Sequence, residues 1–177
     1  MKNLIKIVLL LMLCLPYGGQ AQKPNRSDSG AHPSLDPSTI RLYQVYLRNF
    51  SPEGTIQGLY RGLDHIQSMG FNTLWLMPVH PVGQVNRKGT FGSPYSVKDY
   101  RKINPEFGTE QDFKALIREC HRRGLHVILD WVANHTAFDH PWTQAHPAWY
   151  TRDAQGKILP PNDDWTDVAD LNFDNAE

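Results

Sequence analysis

Apolar positions along the chain fall into two alternating rhythms. Ile40 to Leu47 carries Val, Tyr and Ile in a strand-like run, ended by Ser51-Pro52-Glu53-Gly54. Ile56, Leu59, Leu63, Ile66 and Met69 then recur at helical spacing, and Gly70 supplies the C-terminal stop. Thr73-Leu74-Trp75-Leu76-Met77 is nearly continuous and closes on Pro78, the signature of a strand covered on both faces. A long loop from His80 to about Gly108 follows. Thr109-Glu110-Gln111-Asp112 resembles a capping box, and Phe113, Leu116, Ile117 and Cys120 keep one helical face apolar up to Gly124. Val127-Ile128-Leu129 starts a third strand, predicted to be buried, that runs into Asp130. The order is strand, helix, strand, loop, helix, strand. Alternating βα units imply a parallel sheet, either a barrel or a doubly wound sheet. After Thr136 the period is lost and Pro, Trp, Asp and Asn crowd the chain, which reads as an excursion from the sheet or the start of an inserted domain.

The first residues follow a different logic. Lys2 and Lys6 precede an apolar run from Ile7 to Leu15, then Pro16, Gly18 and Gly19 break it, with Gly19-Gln20-Ala21 offering small residues for cleavage. Residues 1–21 are therefore expected to be a signal peptide, too short to span a bilayer as a helix, with export to a periplasmic or extracellular, bacterial location. A lipid anchor on Cys14 is the lesser alternative, because bulky Leu13 stands where a small residue is needed. Residues 22–38, rich in Ser, Pro, Asp and Gly, read as a flexible linker. Cleavage would leave Cys120 as the sole thiol, with no internal disulfide, and its place on the apolar stripe favours a structural role.

Composition narrows the function classes. In 177 residues, 40% are hydrophobic and 20% charged, which is globular composition. The 18 Lys plus Arg balance 18 Asp plus Glu, so there is no electrostatic footprint for nucleic acid or, after signal cleavage, for a membrane surface. Aromatic residues reach 11%, including five Trp, which suits a sugar binder and an aromatic-rich core alike.

In parallel βα sheets, polar residues at C-terminal strand ends face the site. Asp130 stands there, with Asn134 and His135 just beyond. On its own, Asp130 is compatible with a functional role, a structural ion pair or a loop cap. The wider pattern is more specific. Asp130-Trp131-Val132-Ala133-Asn134-His135 resembles the Asp-x-Val-x-Asn-His segment of the α-amylase superfamily of glycoside hydrolases. Gly70 to Pro78 is similar to that family's second strand. Tyr95 to Tyr100 with Ile103 to Thr109 is similar to its Tyr-x-x-x-Asp-Tyr…Asp-Pro-x-Phe-Gly-Thr loop, and Ala169-Asp170-Leu171-Asn172 to its Pro-Asp-Leu-Asn/Asp segment. The four segments occur in the family's order between Ile40 and Asn172.

The resemblance implies an α/β fold, a partial (β/α)8 TIM barrel: its first three strands over residues 39–135, then the start of an inserted domain over 136–177. It implies that Tyr95 stacks on a sugar ring, that His135 hydrogen-bonds the same sugar, and that Asp130 orients an arginine from a later strand. Gly92 and Pro94 shape the loop presenting Tyr95. In calcium-binding members the positions of Asn134 and Asp170 are ligands, so Ca²⁺ is a possible cofactor. Asp163, Asp164 and Asp167 lie close in sequence, and the spacing excludes an EF-hand. The implied activity is retaining cleavage of α-glucosidic bonds in starch-like polymers or maltooligosaccharides. Transglycosylation or isomerisation within the family, and a non-catalytic carbohydrate-binding remnant, are the alternatives.

Retaining chemistry needs a nucleophilic carboxylate and an acid/base carboxyl. The family carries these after strands four and five, and no stretch after Asp130 resembles its Gly-x-Arg-x-Asp segment. No catalytic residue is assigned in this chain: the nucleophile Asp and the acid/base Glu are expected beyond residue 177. The sequence is expected to be a truncated one, inactive by itself.

Overall fold

In the computed structural model, which describes residues 36–176, the chain opens on a 3-10 turn at Pro37–Thr39. Asp36 caps it, its carboxylate accepting from the Ser38 N–H at 2.9 Å, so the end of the predicted linker is already structured. The predicted signal peptide and the rest of the linker lie outside the described residues.

Strand β1 spans Leu42–Val45, shorter than the predicted Ile40 to Leu47. Its ladder with the next strand ends where the Met77 N–H reaches the Val45 carbonyl at 2.9 Å, and the Asn49 N–H then bonds the Tyr46 carbonyl at 3.0 Å. That turn starts a one-turn helix, α1, at Leu47–Phe50, which claims Leu47 from the strand and buries it. Helix α2, Ile56–Ser68, is capped by the Thr55 hydroxyl accepting from the Gly58 N–H at 3.2 Å. Ile56, Leu59, Leu63 and Ile66 are fully buried. Met69, predicted to extend this stripe, is 44% exposed: it is the C-cap, and Gly70 at φ +88° turns the chain away before the stripe can continue.

Strand β2, Thr73–Leu76, lies between β1 and β3, His126–Leu129, all parallel. Val45 pairs with Leu76, and Leu76 with Leu129, so the three strands end level. Helix α3, Glu110–Arg122, connects β2 to β3. Its capping box is complete. The Thr109 hydroxyl accepts from the Asp112 N–H at 3.1 Å, and the Asp112 carboxylate accepts from the Thr109 N–H at 2.8 Å. Leu116 and Cys120 of α3 join the α2 stripe and Leu74 and Leu76 of β2 in one core, each large aliphatic contributing about 1.5–3 kcal/mol. Burial pushes the Cys120 thiol up to about 11, which fits a packing role.

Strand β3 departs from expectation. Ile128 and Leu129 are 40% and 38% exposed, although the sequence reads as a buried strand. The cause is position: β3 pairs only with β2 and forms a sheet edge among the described residues.

Past the sheet, β4 (His135–Ala137) pairs antiparallel with β5 (Val168–Asp170), bringing His135 opposite Asp170. Between them lie helix α4, Trp142–Ala145, and a 3-10 turn at Pro147–Trp149. His140 anchors this region. Its Nδ1 accepts from the Trp142 N–H at 3.1 Å, and its ring sits 5.5 Å from Tyr100 and 4.4 Å from Trp142. Among the described residues its buried Nε2 finds no partner.

This packing predicts acid lability. Burial pushes the His140 pKa down from 6.5 to about 4; the nearby Asp99 and Asp139 oppose the drop and Arg101 adds to it. A depressed folded pKa means the unfolded chain binds the proton more readily. The stabilisation is therefore complete above pH 6.5 and is lost as pH falls towards 4. The loss is on the order of 3 kcal/mol at about 1.4 kcal/mol per pH unit. Urea unfolding at pH 7.5, 5.5 and 4 is expected to show this decline. His140→Gln, which cannot titrate, is expected to flatten this histidine's part of it.

Candidate functional site

The level ends of the three parallel strands set where the first polar group emerges. The Asp130 N–H donates to the Leu76 carbonyl at 2.8 Å, extending the ladder one residue past β3 and fixing the backbone from which the carboxylate projects. Tyr95 reaches it from the long loop, its hydroxyl donating to Asp130 Oδ2 at 3.0 Å. The loop can make this approach because Gly92 takes φ +69° and sits where a Cβ would lie 2.8 Å from a methyl of Val82. The loop is then pinned across itself, Gly83 N–H to Ser96 carbonyl at 2.9 Å and Lys98 N–H to Pro81 carbonyl at 2.8 Å.

Tyr100 holds the segment after Asp130. Its hydroxyl lies 2.7 Å from the Val132 carbonyl and 2.9 Å from that of His135, and burial drives its pKa upward. The clamp delivers His135 into β4, 6% exposed. Burial lowers the His135 pKa, opposed by the Tyr95 backbone and by the Asp167 and Asp170 carboxylates, so the neutral imidazole is favoured. His135 Nδ1 is buried and has no partner among the described residues. Burial also raises the Tyr95 phenol pKa, with the hydrogen bond to Asp130 adding to it.

These side chains share one cavity of about 550 Å³, lined by Tyr95, Asp130, Asn134 and His135 together with Lys88, Trp131, Trp165 and Asp167. This size suits a small organic ligand. Trp165 meets His135 at 5.7 Å with the ring planes 69° apart. Lys88 Nζ stands 3.5 Å from Asp167 Oδ1 and also donates to the Asp164 carbonyl, joining the long loop to the segment before β5. The arginine that Asp130 is expected to orient belongs to a later strand, outside the described residues; among these its partner is the Tyr95 hydroxyl.

Asp170 is not on the cavity wall. Its carboxylate accepts from the Thr151 hydroxyl at 2.7 Å, while the Leu171 N–H bonds the Asn134 carbonyl at 3.1 Å, so Asn134 and Asp170 are neighbours at the end of the small sheet. Ca²⁺ takes six to eight oxygens. Among the described residues no three Asp, Glu, His or Cys side chains converge as a metal site. Asn134 and Asp170 bring oxygen-bearing side chains to the same end of the small sheet, and no step below uses a bound ion.

Lys88, Tyr100 and Trp165 belong to the site or its support without having been singled out. Lys88 carries no sequence signal, since its role depends on a contact 76 residues away. Tyr100 closes the tyrosine-bearing loop motif, and Trp165 lies just ahead of the Ala169 to Asn172 segment, so both were within reach of motif reading.

A cavity walled by aromatic rings, an imidazole and carboxylates at the C-terminal strand ends is where both barrel and doubly wound α/β proteins place their sites. The sequence model of the alpha amylase catalytic domain matches residues 23–167, and the chain belongs to that family. Among curated relatives, alpha-amylase SusG of Bacteroides thetaiotaomicron is 39% identical over 105 residues, 56% of this chain and 14% of that protein. Trehalose synthase/amylase TreS of Mycobacterium tuberculosis is 36% identical over 137 residues, 72% of this chain and 22% of that one. The crystal structure of an alpha-amylase from Lactobacillus plantarum superposes with a TM-score of 0.76 at 46% identity, covering 77% of this chain and 32% of the other. The three parallel strands are thus part of a (β/α)8 barrel, and the chain spans about a third or less of these relatives' lengths.

The Tyr95–Asp130 contact generates a test. Asp130→Asn removes the charge that helps hold the phenol protonated, so the Tyr95 pKa is expected to fall while burial keeps it above the ordinary value of about 10. A ¹³C-tyrosine NMR titration reads this directly, and an unchanged Tyr95 resonance would dismiss the contact.

Proposed function

We propose that the protein containing this chain is an exported, retaining α-glycosidase acting on α-glucosidic bonds of starch-like poly- or oligosaccharides, and that these 177 residues build its sugar-binding wall. The observation that carries the reading is the cavity that Tyr95 and His135 line together beyond the ends of the parallel strands. A flat phenol face accepts the C–H face of a sugar ring, and a neutral imidazole nitrogen exchanges a hydrogen bond with its hydroxyl. Asp130, fixed by the sheet ladder, holds Tyr95 in place and orients the site.

Neither cavity carboxylate is proposed as the nucleophile. Asp130 already accepts from Tyr95, and Asp167 pairs with Lys88. The reacting carboxyls are assigned to the barrel strands that follow in the family, and the chain alone is expected to bind without hydrolysing. Export rests on the pattern of residues 1–21, and no helix among the described residues is long and apolar enough to cross a membrane. Transglycosylation is a second reading, favoured by the similarity to a protein named trehalose synthase/amylase. The two differ in whether water or a sugar hydroxyl takes the glycosyl group.

The test is ¹H NMR of maltohexaose cleavage by the whole protein. The α-anomer is expected as first product, and trehalose or longer oligosaccharides would instead mark transfer. Tyr95→Ala is expected to weaken maltohexaose binding at least tenfold, about 1.4 kcal/mol. A β-anomer first product, or full affinity in Tyr95→Ala, overturns the proposal.

A further inference from the structure

Arg48 stands just past β1, in the one-turn helix α1, and its guanidinium faces the long loop. Its Nε donates to the Tyr46 hydroxyl at 3.3 Å, and it forms an ion pair with Glu106. Its Cζ lies 4.4 Å from the centroid of the Phe91 ring and 5.7 Å from that of Phe107. Phe91 precedes Tyr95 in the loop, and Glu106 and Phe107 follow it. One side chain thus grips both limbs of the loop that carries the phenol. Phe91 is 57% exposed, so burial holds it weakly, and the cation over its face is what engages it. The backbone on either side is held. Arg87 donates to the Gly83, Val82 and Thr90 carbonyls at 2.7, 3.1 and 3.5 Å, tying the residue before Phe91 to the base of the loop. After Phe91, Gly92 lies close against Val82 and Arg87, and the Ser93 hydroxyl and carbonyl take the N–H groups of Tyr95 and Ser96 at 3.2 and 3.0 Å. A displacement of Phe91 is therefore carried along the turn to Tyr95.

We infer that Arg48 is a positioning residue, which sets the place of the Tyr95 ring by stacking its guanidinium on Phe91. Among the described residues, neither Arg48 nor Phe91 lines the cavity, so they act on a ligand there through Tyr95. Glu106 is exposed and its ion pair is screened, which leaves the stack as the directional contact. The effect on sugar affinity rests on the sugar-binding reading above; the effect on Tyr95 itself does not.

The test is ¹³C-tyrosine NMR of the full chain without ligand, the Tyr95 resonance being assigned by its loss in Tyr95→Phe. Calorimetric titration with maltohexaose follows, with urea unfolding of each variant alongside. Phe91→Leu keeps apolar bulk and removes the ring face. It is expected to shift the Tyr95 resonance and to weaken maltohexaose binding about threefold, the scale of an exposed cation–π contact. Phe91→Tyr keeps the face and is expected to match the unsubstituted chain in both readouts. Arg48→Met is expected to reproduce Phe91→Leu, and the double variant to lose no more than Arg48→Met alone, because both changes remove the same contact. Glu106→Gln is expected to leave the Tyr95 resonance in place. An unmoved Tyr95 resonance in Phe91→Leu, or losses that add in the double variant, overturns the inference. Because Phe91 is exposed, its variants keep the test open if Arg48→Met unfolds. If the resonance moves as expected and the unsubstituted chain binds no maltohexaose, the role of Arg48 stands and the sugar-binding reading fails.

Discussion

The parallel register of β1, β2 and β3 is the constraint on which the site depends. Because Val45, Leu76 and Leu129 are level, the residue after β3 leaves the sheet at the same height as the ends of the other two strands. The Leu76 carbonyl then takes the Asp130 N–H, so a backbone bond rather than side-chain packing fixes the carboxylate. A slip of one residue in β3 would turn Asp130 to the opposite face of the sheet and part it from Tyr95. The buried stripe of α2, Leu116 and Cys120 guards against that slip, since it seats β2 through Leu74 and Leu76.

The second requirement is a long loop that behaves as part of the scaffold. Residues between β2 and α3 include almost no regular structure, yet their backbone polar groups are bonded at short intervals. The Ile56 N–H reaches the Phe107 carbonyl at 2.8 Å, Asn104 reaches Val79 at 2.8 Å, and the Ala137 N–H of β4 reaches Val97 at 2.8 Å. These bonds join the loop to α2 on one side and to the small sheet on the other. Tyr95 is held like a residue in a strand, so less ordering entropy opposes ligand binding.

Much of this was legible from the sequence, for reasons that can be named. The α2 stripe and the Thr109–Asp112 capping box are local patterns whose partners lie within four residues, and spacing alone reveals them. Tyr95, Asp130, Asn134 and His135 sit in motifs with a fixed order, and all four line one cavity. The failures are non-local. Leu47 looked like strand because its own side chain is apolar, while the ladder's end is decided by β2. Ile128 and Leu129 looked buried because apolar runs usually are, while their exposure depends on which elements flank β3. Lys88 was invisible because a lysine in a Gly-rich loop has meaning only once the segment before β5 is placed beside it.

The electrostatics of the cavity bear on what it can hold. Three kinds of charge-bearing group face it, and each is already engaged. Lys88 is set against Asp167, the Asp130 carboxylate takes the Tyr95 hydroxyl, and burial favours the uncharged form of His135. Among the described residues no cation is left free on its wall to neutralise an anionic ligand, and a cationic ligand would have to compete with Lys88 for Asp167. What remains among the described residues is aromatic surface from Tyr95, Trp131 and Trp165 with the His135 ring beside it. A neutral polyol matches that inventory better than any ion. It covers aromatic surface with C–H faces and supplies a hydroxyl to the imidazole, without requiring any of the existing pairs to break. The cavity thus offers shape and hydrogen bonding, with its charges already paired among the described residues.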